Sequence, residues 1–211
     1  MRIGMLVYDN GDMLDVTGPF EMFDWTGFEI DLIAAEPGTK KFRSQGFSYE
    51  VERGFAQARD YDAFWVPGGE PDVLAQMIDD PARTCLNFLV DQANRVRMMC
   101  SVCNGAMLLA AAGLLDGYQA TAHWEFLSCF GQRFPNVTVA PGLPRFVLDR
   151  NRLTGGGMSS GLDTSLKLVE LLGGRELAER VQQATQYYPE PPVSSVAPTP
   201  PTHCPIPLAS G

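Results

Sequence analysis

A chain of 211 residues that is 45% hydrophobic and 19% charged has the size and composition of one globular domain with a substantial core. Its formal net charge of −9, with Lys40, Lys41 and Arg43 as the nearest thing to a basic cluster, excludes a nucleic-acid surface, because phosphate binding needs clustered positive charge. No stretch is apolar for long enough to span a membrane, the first ten residues turn polar too soon for a signal peptide, and five irregularly spaced cysteines suit reduced thiols in a cytoplasm better than a disulfide framework.

Residues 2–8 are rich in Ile, Leu and Val and predict a buried strand. Residues 15–19, Asp-Val-Thr-Gly-Pro, read as a loop in which Thr17 or Gly18 caps a helix with Pro19 at its first position. A second strand is expected over residues 29–35, a hairpin over 42–51, and another buried strand over 61–66, ended by Pro67-Gly68-Gly69. Helical periodicity covers residues 72–78 and 81–94. Residues 97–102 then predict a strand, and 104–115 a helix that stops near Asp116-Gly117. Beyond it come a helical stretch at 124–130, short strands at 137–140, 145–148 and 152–154, and a break at Gly155-Gly156-Gly157. Ser159 or Ser160 is placed to cap a helix through Leu172, and residues 175–185 form the last one. Strands that alternate with helices imply an α/β fold with a mostly parallel sheet covered on both faces. From residue 189 to 211 the composition changes: eight of the sixteen prolines fall there and Glu190 is its only formally charged residue. The expectation is a domain over residues 1–188 followed by an extended or disordered Pro-rich tail.

The segment Cys100-Ser101-Val102-Cys103-Asn104-Gly105 joins a predicted strand to a predicted helix through small residues. A nucleophile elbow is built this way, with Cys103 at the apex and Ser101 and Gly105 where the backbone folds tightly. At the start of a helix the dipole favours a thiolate. The competing reading is a packed structural thiol. Cys100 completes a C-x-x-C pair, but it falls inside the strand, and Cys85, Cys129 and Cys204 supply no second pair for zinc, so no metal site is expected. Ligands on parallel sheets bind at the carboxyl ends of the strands. Asp15, Gly68-Gly69 and Cys103 each follow a strand closely and should share one crevice. Asp15 is either an ordinary loop or capping residue, or a carboxyl group held beside the thiol with a raised pKa. Backbone N–H groups at Gly69 and Asn104 are placed to form an oxyanion hole together. Of the two histidines, His203 lies in the tail, and His123 either serves Cys103 as a base or orders local structure. The Gly155-Gly156-Gly157 run lacks the spacing of a dinucleotide site, and no phosphate-binding loop motif is present.

Seven blocks taken in order carry a wider pattern: Asp15-Val16-Thr17-Gly18-Pro19, Val66-Pro67-Gly68-Gly69, Ser101-Val102-Cys103-Asn104-Gly105, Ala111-Ala112-Gly113-Leu114-Leu115-Asp116-Gly117, Ala120-Thr121-Ala122-His123-Trp124, Leu153-Thr154-Gly155-Gly156-Gly157 and Tyr188-Pro189-Glu190-Pro191-Pro192. With these the chain resembles the ThiJ/PfpI superfamily and, within it, the isonitrile (isocyanide) hydratases. The resemblance implies a flavodoxin-like three-layer sandwich, a homodimer, no cofactor, a small-molecule substrate, and an acidic partner for the nucleophile at Asp15. It implies a hydro-lyase in which the Cys103 thiolate attacks the isocyanide carbon while Asp15 helps protonate the developing imidate. Phe20, Trp65 and Met158 are candidates for the wall of a small apolar pocket. Protease-like members carry His directly after the nucleophile, where this chain has Asn104; the hydratases carry Thr there. Two other readings stand beside this one. A cofactor-free glyoxalase-like enzyme would draw its carboxyl group from the following helix, where Glu21 is a stand-in. A thiol sensor or binding protein is the non-enzymatic alternative, since similar blocks occur in the sensor domains of AraC-type regulators.

Overall fold

In the computed structural model, which describes residues 1–207, β1 (Arg2–Leu6) is an interior strand of the main sheet. Its side chains alternate between two cores. Ile3 and Met5 enter one hydrophobic cluster and Leu6 the other, as period-2 geometry requires of a strand covered on both faces. α1 (Met13–Asp24) follows, then β2 (Glu29–Ala34), which pairs parallel with β1. β3 (Gly38–Lys41) and β4 (Ser48–Val51) form an antiparallel hairpin outside the main sheet, and β5 (Arg53–Gly54) closes one sheet edge. The expected hairpin is therefore present, but residues 42–47 are its turn and the first strand lies earlier.

β6 (Ala63–Val66) pairs with β1 on the other side, and its four residues are all buried. Phe64 and Val66 face one core while Ala63 and Trp65 face the other. α2 (Pro71–Ile78) and α3 (Thr84–Ala93) lead to β7 (Met98–Ser101), parallel to β6, and β7 runs into α4 (Gly105–Ala111). Beyond lie β8 (Gln119–Ala120), α5 (Leu127–Arg133) and β9 (Thr138–Val139), with β8 and β9 forming a small parallel pair. β10 (Phe146–Asp149) is antiparallel to β11 (Arg152–Gly155), which pairs parallel with β7. α6 (Ser160–Gly173) and α7 (Arg175–Ala184) end the regular structure. The main sheet has seven strands in the order β10-β11-β7-β6-β1-β2-β5, parallel except for its β10 edge. Helices α1, α6 and α7 cover one face and α2 to α5 the other. This is the flavodoxin-like three-layer α/β arrangement expected from the sequence. Among the described residues, no helix is long and apolar enough to cross a membrane.

Two expectations are corrected. The first concerns residues 15–19. The segment is not a loop: α1 begins at Met13, so Asp15 sits in its first turn and Pro19 is inside the helix rather than at its start. The second concerns the cysteines. Cys129 on α5 and Cys204 in the tail form a disulfide across 75 residues of sequence, leaving Cys85, Cys100 and Cys103 unpaired among the described residues. The tail turns back onto α5 and brings the two thiols together. Ser128 Oγ donates to the His203 carbonyl at 2.8 Å, Gln132 Nε2 donates to the Thr202 carbonyl at 2.7 Å, and Ile206 is buried in the core on that face. An odd, irregular cysteine count gives no hint of such a pairing, because the return of the tail is a tertiary event. The cytoplasmic expectation rested on reduced thiols and loses that support. Residues 208–211 of the tail lie outside the described residues.

Alkylation of the denatured, unreduced protein should therefore label three cysteines and not five, read as added mass. Cys204→Ala should lower stability by about 2 to 4 kcal/mol, as expected for opening a long covalent loop, read by denaturant unfolding.

Candidate active site

The turn between β7 and α4 holds Cys103 at φ 58°, a left-handed conformation that a non-glycine residue adopts only where its surroundings impose it. The imposing contacts are short. The Cys103 N–H donates to the Gly156 carbonyl at 2.7 Å, and the His123 N–H donates to the Cys103 carbonyl at 3.3 Å. Gly105 packs directly on the end of β6: a Cβ there would lie 2.6 Å from the Pro67 carbonyl oxygen, so no larger residue fits. Cys103, at the apex, is 4% exposed.

Two carboxyl groups approach it. Cys103 Sγ lies 3.9 Å from Asp12 Oδ2, and one such atom from each of Asp12, Asp15 and Cys103 falls within 4.8 Å of the others. Asp15 has no solvent exposure; its Oδ2 accepts from the Gly68 N–H at 2.8 Å, while its buried Oδ1 has no protein hydrogen-bond partner. Gly68 permits this approach, since a Cβ there would lie 2.9 Å from both Asp15 Oδ2 and Cys103 Cβ. Arg43, from the β3–β4 turn, bonds Asp12 Oδ1 at 2.9 Å and reaches Glu70 at 3.4 Å. Cys103 and Asn104 open into a pocket of about 450 Å³. Its apolar side is made by Trp124, Phe126 and Met158, and Glu70 and Glu125 stand with Arg43 on its polar side.

Residues 1–171 match the DJ-1/PfpI family. The chain belongs to that family. An isonitrile hydratase of Pseudomonas putida is 32% identical to it over 94% of this chain and 83% of the hydratase. An HTH-type transcriptional regulator of Pseudomonas aeruginosa is 29% identical over 88% of this chain, which spans 50% of the regulator's length. Among solved structures, a ThiJ/PfpI family protein from Pseudomonas syringae superposes with a TM-score of 0.83 at 33% identity, covering 93% of this chain and 78% of that one.

In this DJ-1/PfpI site, electrostatics depart from the simple expectation of a thiolate stabilised by a helix. Burial first, and then the neighbouring Asp15 and Asp12 carboxylates, push the Cys103 thiol well above its ordinary range; the Asn104 N–H and Arg43 oppose them. Burial and then Asp12 push Asp15 up to about 8, against the pull of the Gly68 N–H, Cys103 and Arg43. Near neutral pH Asp15 therefore carries a proton, and its protonation removes one of the charges that oppose a thiolate at Cys103. The pair shares protons rather than titrating independently. The same logic argues against a cation among Asp12, Asp15 and Cys103, because Asp12 is already paired with Arg43 and Asp15 is protonated.

The sequence-expected site residues divide clearly. Cys103, Asp15, Asn104 and Gly69 are brought together, and His123 and Met158 line the pocket. Phe20 and Trp65 do not line it: Phe20 packs against the core beneath the sheet, and Trp65 is fully buried with its indole on the Asp15 carbonyl. Glu21 is on the solvent side of α1 with its carboxylate on the Trp25 indole. The two-donor oxyanion hole is also corrected. The Gly69 N–H donates to Asn104 Oδ1 at 2.8 Å, and Asn104 Nδ2 donates back to the Gly69 carbonyl at 2.8 Å. That N–H is already engaged, so the backbone N–H of Asn104, which favours the thiolate, is the donor left to the site. His123 is held below its ordinary pKa by burial, and its Nδ1 accepts from the Glu125 N–H at 3.4 Å. It is a neutral wall residue here, with no bond to the thiol. Asp12, Arg43, Glu70, Trp124, Glu125 and Phe126 were not foreseen. Asp12 alone carried a signal, an acidic residue just after the first strand.

The raised Asp15 pKa predicts a specific pH dependence of stability. Asp15 keeps its proton to about pH 8 in the fold but loses it near its ordinary value of 3.8 when unfolded. Between those values the native state binds more protons, so this group's contribution falls as pH rises. Asp15→Asn, which mimics the protonated form, should gain stability relative to wild type from pH 5 to pH 8. The gain is at most about 1.4 kcal/mol per pH unit, read by denaturant unfolding. Parallel curves for the two proteins would show that Asp15 is ionised in the native state.

Proposed function

We propose that this protein adds water to a small isocyanide to give an N-substituted formamide, with Cys103 as nucleophile and Asp15 as the proton-handling group. The observation that carries the reading is a buried thiol beside a carboxyl group that keeps its proton at neutral pH. An isocyanide carbon needs both, since it accepts a nucleophile and a proton at the same atom. The similarity to the Pseudomonas putida hydratase supports the substrate class.

The Cys103 thiol, protonated at rest, first gives its proton to water; the thiolate then forms a C–S bond to the terminal carbon of R–N≡C as Asp15 delivers its proton to that carbon. The product is a thioimidate, R–N=CH–S–Cys103, with Asp15 now a carboxylate. Asp15 then takes a proton from water as the oxygen attacks the thioimidate carbon, and passes that proton to the nitrogen. The resulting adduct, R–NH–CH(OH)–S–Cys103, collapses: its hydroxyl proton returns to Asp15, the C–S bond breaks, and R–NH–CHO leaves. The thiolate and the protonated carboxyl are restored. The Asn104 N–H steadies the thiolate at the start and end of the cycle. Trp124, Phe126 and Met158 provide apolar contact for the R group. We further propose a homodimer, as the family resemblance implies; a monomeric mass by light scattering refutes this.

Purified protein incubated with a simple alkyl isocyanide should form the formamide, followed by chromatography. Cys103→Ala should abolish turnover, and Asp15→Asn should lower kcat by about 10²- to 10⁴-fold, the usual range for a lost proton-transfer group. The reading fails if wild type is no faster than Cys103→Ala. A second reading, a ligand-binding sensor, draws on the regulator that shares this domain. Ligand binding without turnover of isocyanides, or of methylglyoxal to lactate, would favour it.

A further inference from the structure

Pro19 lies inside α1, where a proline has no N–H to donate. The carbonyl that loses its helical donor is the one four residues earlier, on Asp15. It does not remain open. Trp65 on β6 donates its indole Nε1–H to that carbonyl at 2.9 Å, and Trp65 and Asp15 are both fully inaccessible to solvent. Two needs cancel at one atom: a buried carbonyl without a helical donor, and a buried indole that needs an acceptor. The Trp65 ring is held in turn by Phe23, which packs edge-on at 5.7 Å.

The same short stretch of chain also grips the Asp15 side chain. Trp65 stands three residues before Gly68, whose N–H bonds Asp15 Oδ2. Strand β6 and its turn therefore hold Asp15 at both its backbone and its carboxyl group. With an ordinary residue at position 19, a helical N–H would compete with the indole for the Asp15 carbonyl.

We propose that Pro19 and Trp65 are a matched pair of positioning residues: the amide that proline lacks leaves the Asp15 carbonyl to the indole, and the indole sets where the Asp15 carboxyl group stands relative to the Cys103 thiol. Neither residue touches the pocket. The inference rests on the Asp15–Cys103 pairing in the proposed function but not on the identity of the substrate. The titratable or charged groups that act on Asp15 and Cys103 are Tyr8, Asp12, Arg43 and Tyr49. All stay in place in the variants below.

The test is the pH dependence of Cys103 alkylation by iodoacetamide, which needs no substrate. Cys85 and Cys100 are replaced by Ala throughout, so that Cys103 is the one unpaired thiol labelled. Four variants are compared on that background: Asp15→Asn, Trp65→Phe, Pro19→Ala, and Pro19→Ala with Trp65→Phe. Trp65→Phe keeps the ring but leaves the Asp15 carbonyl without a donor; its alkylation midpoint should move toward that of Asp15→Asn by about half a pH unit or more. The double variant regains a helical N–H for the same carbonyl and should recover at least half of that displacement. A Trp65→Phe profile that matches the parent, even with a lower melting temperature, overturns the positioning role and leaves the Asp15–Cys103 pairing standing. An Asp15→Asn profile that matches the parent overturns both. If Trp65→Phe does not fold, Pro19→Ala decides alone. Its restored amide competes for the carbonyl, so the indole N–H resonance and the alkylation midpoint should both move, and their constancy overturns the proposal.

Discussion

Asp15 is a carboxyl group with no exposure to solvent, set beside a thiol almost as deeply buried, while Arg43 reaches past it to Asp12 and Glu70. An ionised carboxylate in that place is expensive, so the proton stays. This constraint organises the rest of the site. A protonated Asp15 lessens the repulsion on Cys103 and holds a transferable proton next to the thiol. Chemistry that must add a nucleophile and a proton to one small, weakly polar molecule suits this arrangement. Chemistry that needs a histidine base does not, because His123 is neutral, turned to Glu125 and unbonded to the thiol.

Close approach of backbones makes the constraint possible. Gly68 lets its own N–H reach the Asp15 carboxyl, and Gly105 lets the elbow seat against the end of β6. Asn104 then ties the elbow to the β6 turn through its reciprocal bond with Gly69. The residue that differs from the hydratase pattern thus has a local role in joining two loops. The disulfide plays a comparable part at longer range. It pins the tail to α5, and α5 continues directly from the turn that carries Trp124, Glu125 and Phe126 into the pocket.

Much of this was legible in the chain itself. Continuous apolar runs such as residues 63–66 can only be strands covered on both faces, and their alternation with helical periods leads to the parallel sheet. The small residues around Cys103 marked the elbow, because a tight strand-to-helix turn excludes bulk whatever surrounds it. The helix over residues 13–24 was misread, because local rules place a proline at a helix start. Here the missing hydrogen bond is made from Trp65, fifty residues away in sequence. Trp65 was expected in the pocket wall for the same reason: an aromatic residue at a strand end declares its bulk, not its partner.

The amino-acid sequence by itself determined which backbone turns could form, which strands had to be buried, and that a thiol would stand at the carboxyl edge of the sheet. Those properties depend on neighbours a few residues apart. Tertiary structure alone decided the protonation of Asp15, the engagement of the Gly69 N–H, the Arg43–Asp12 pair and the Cys129–Cys204 bond. Each depends on burial or on contact between segments distant in the chain, and neither distance nor dielectric is written in local order.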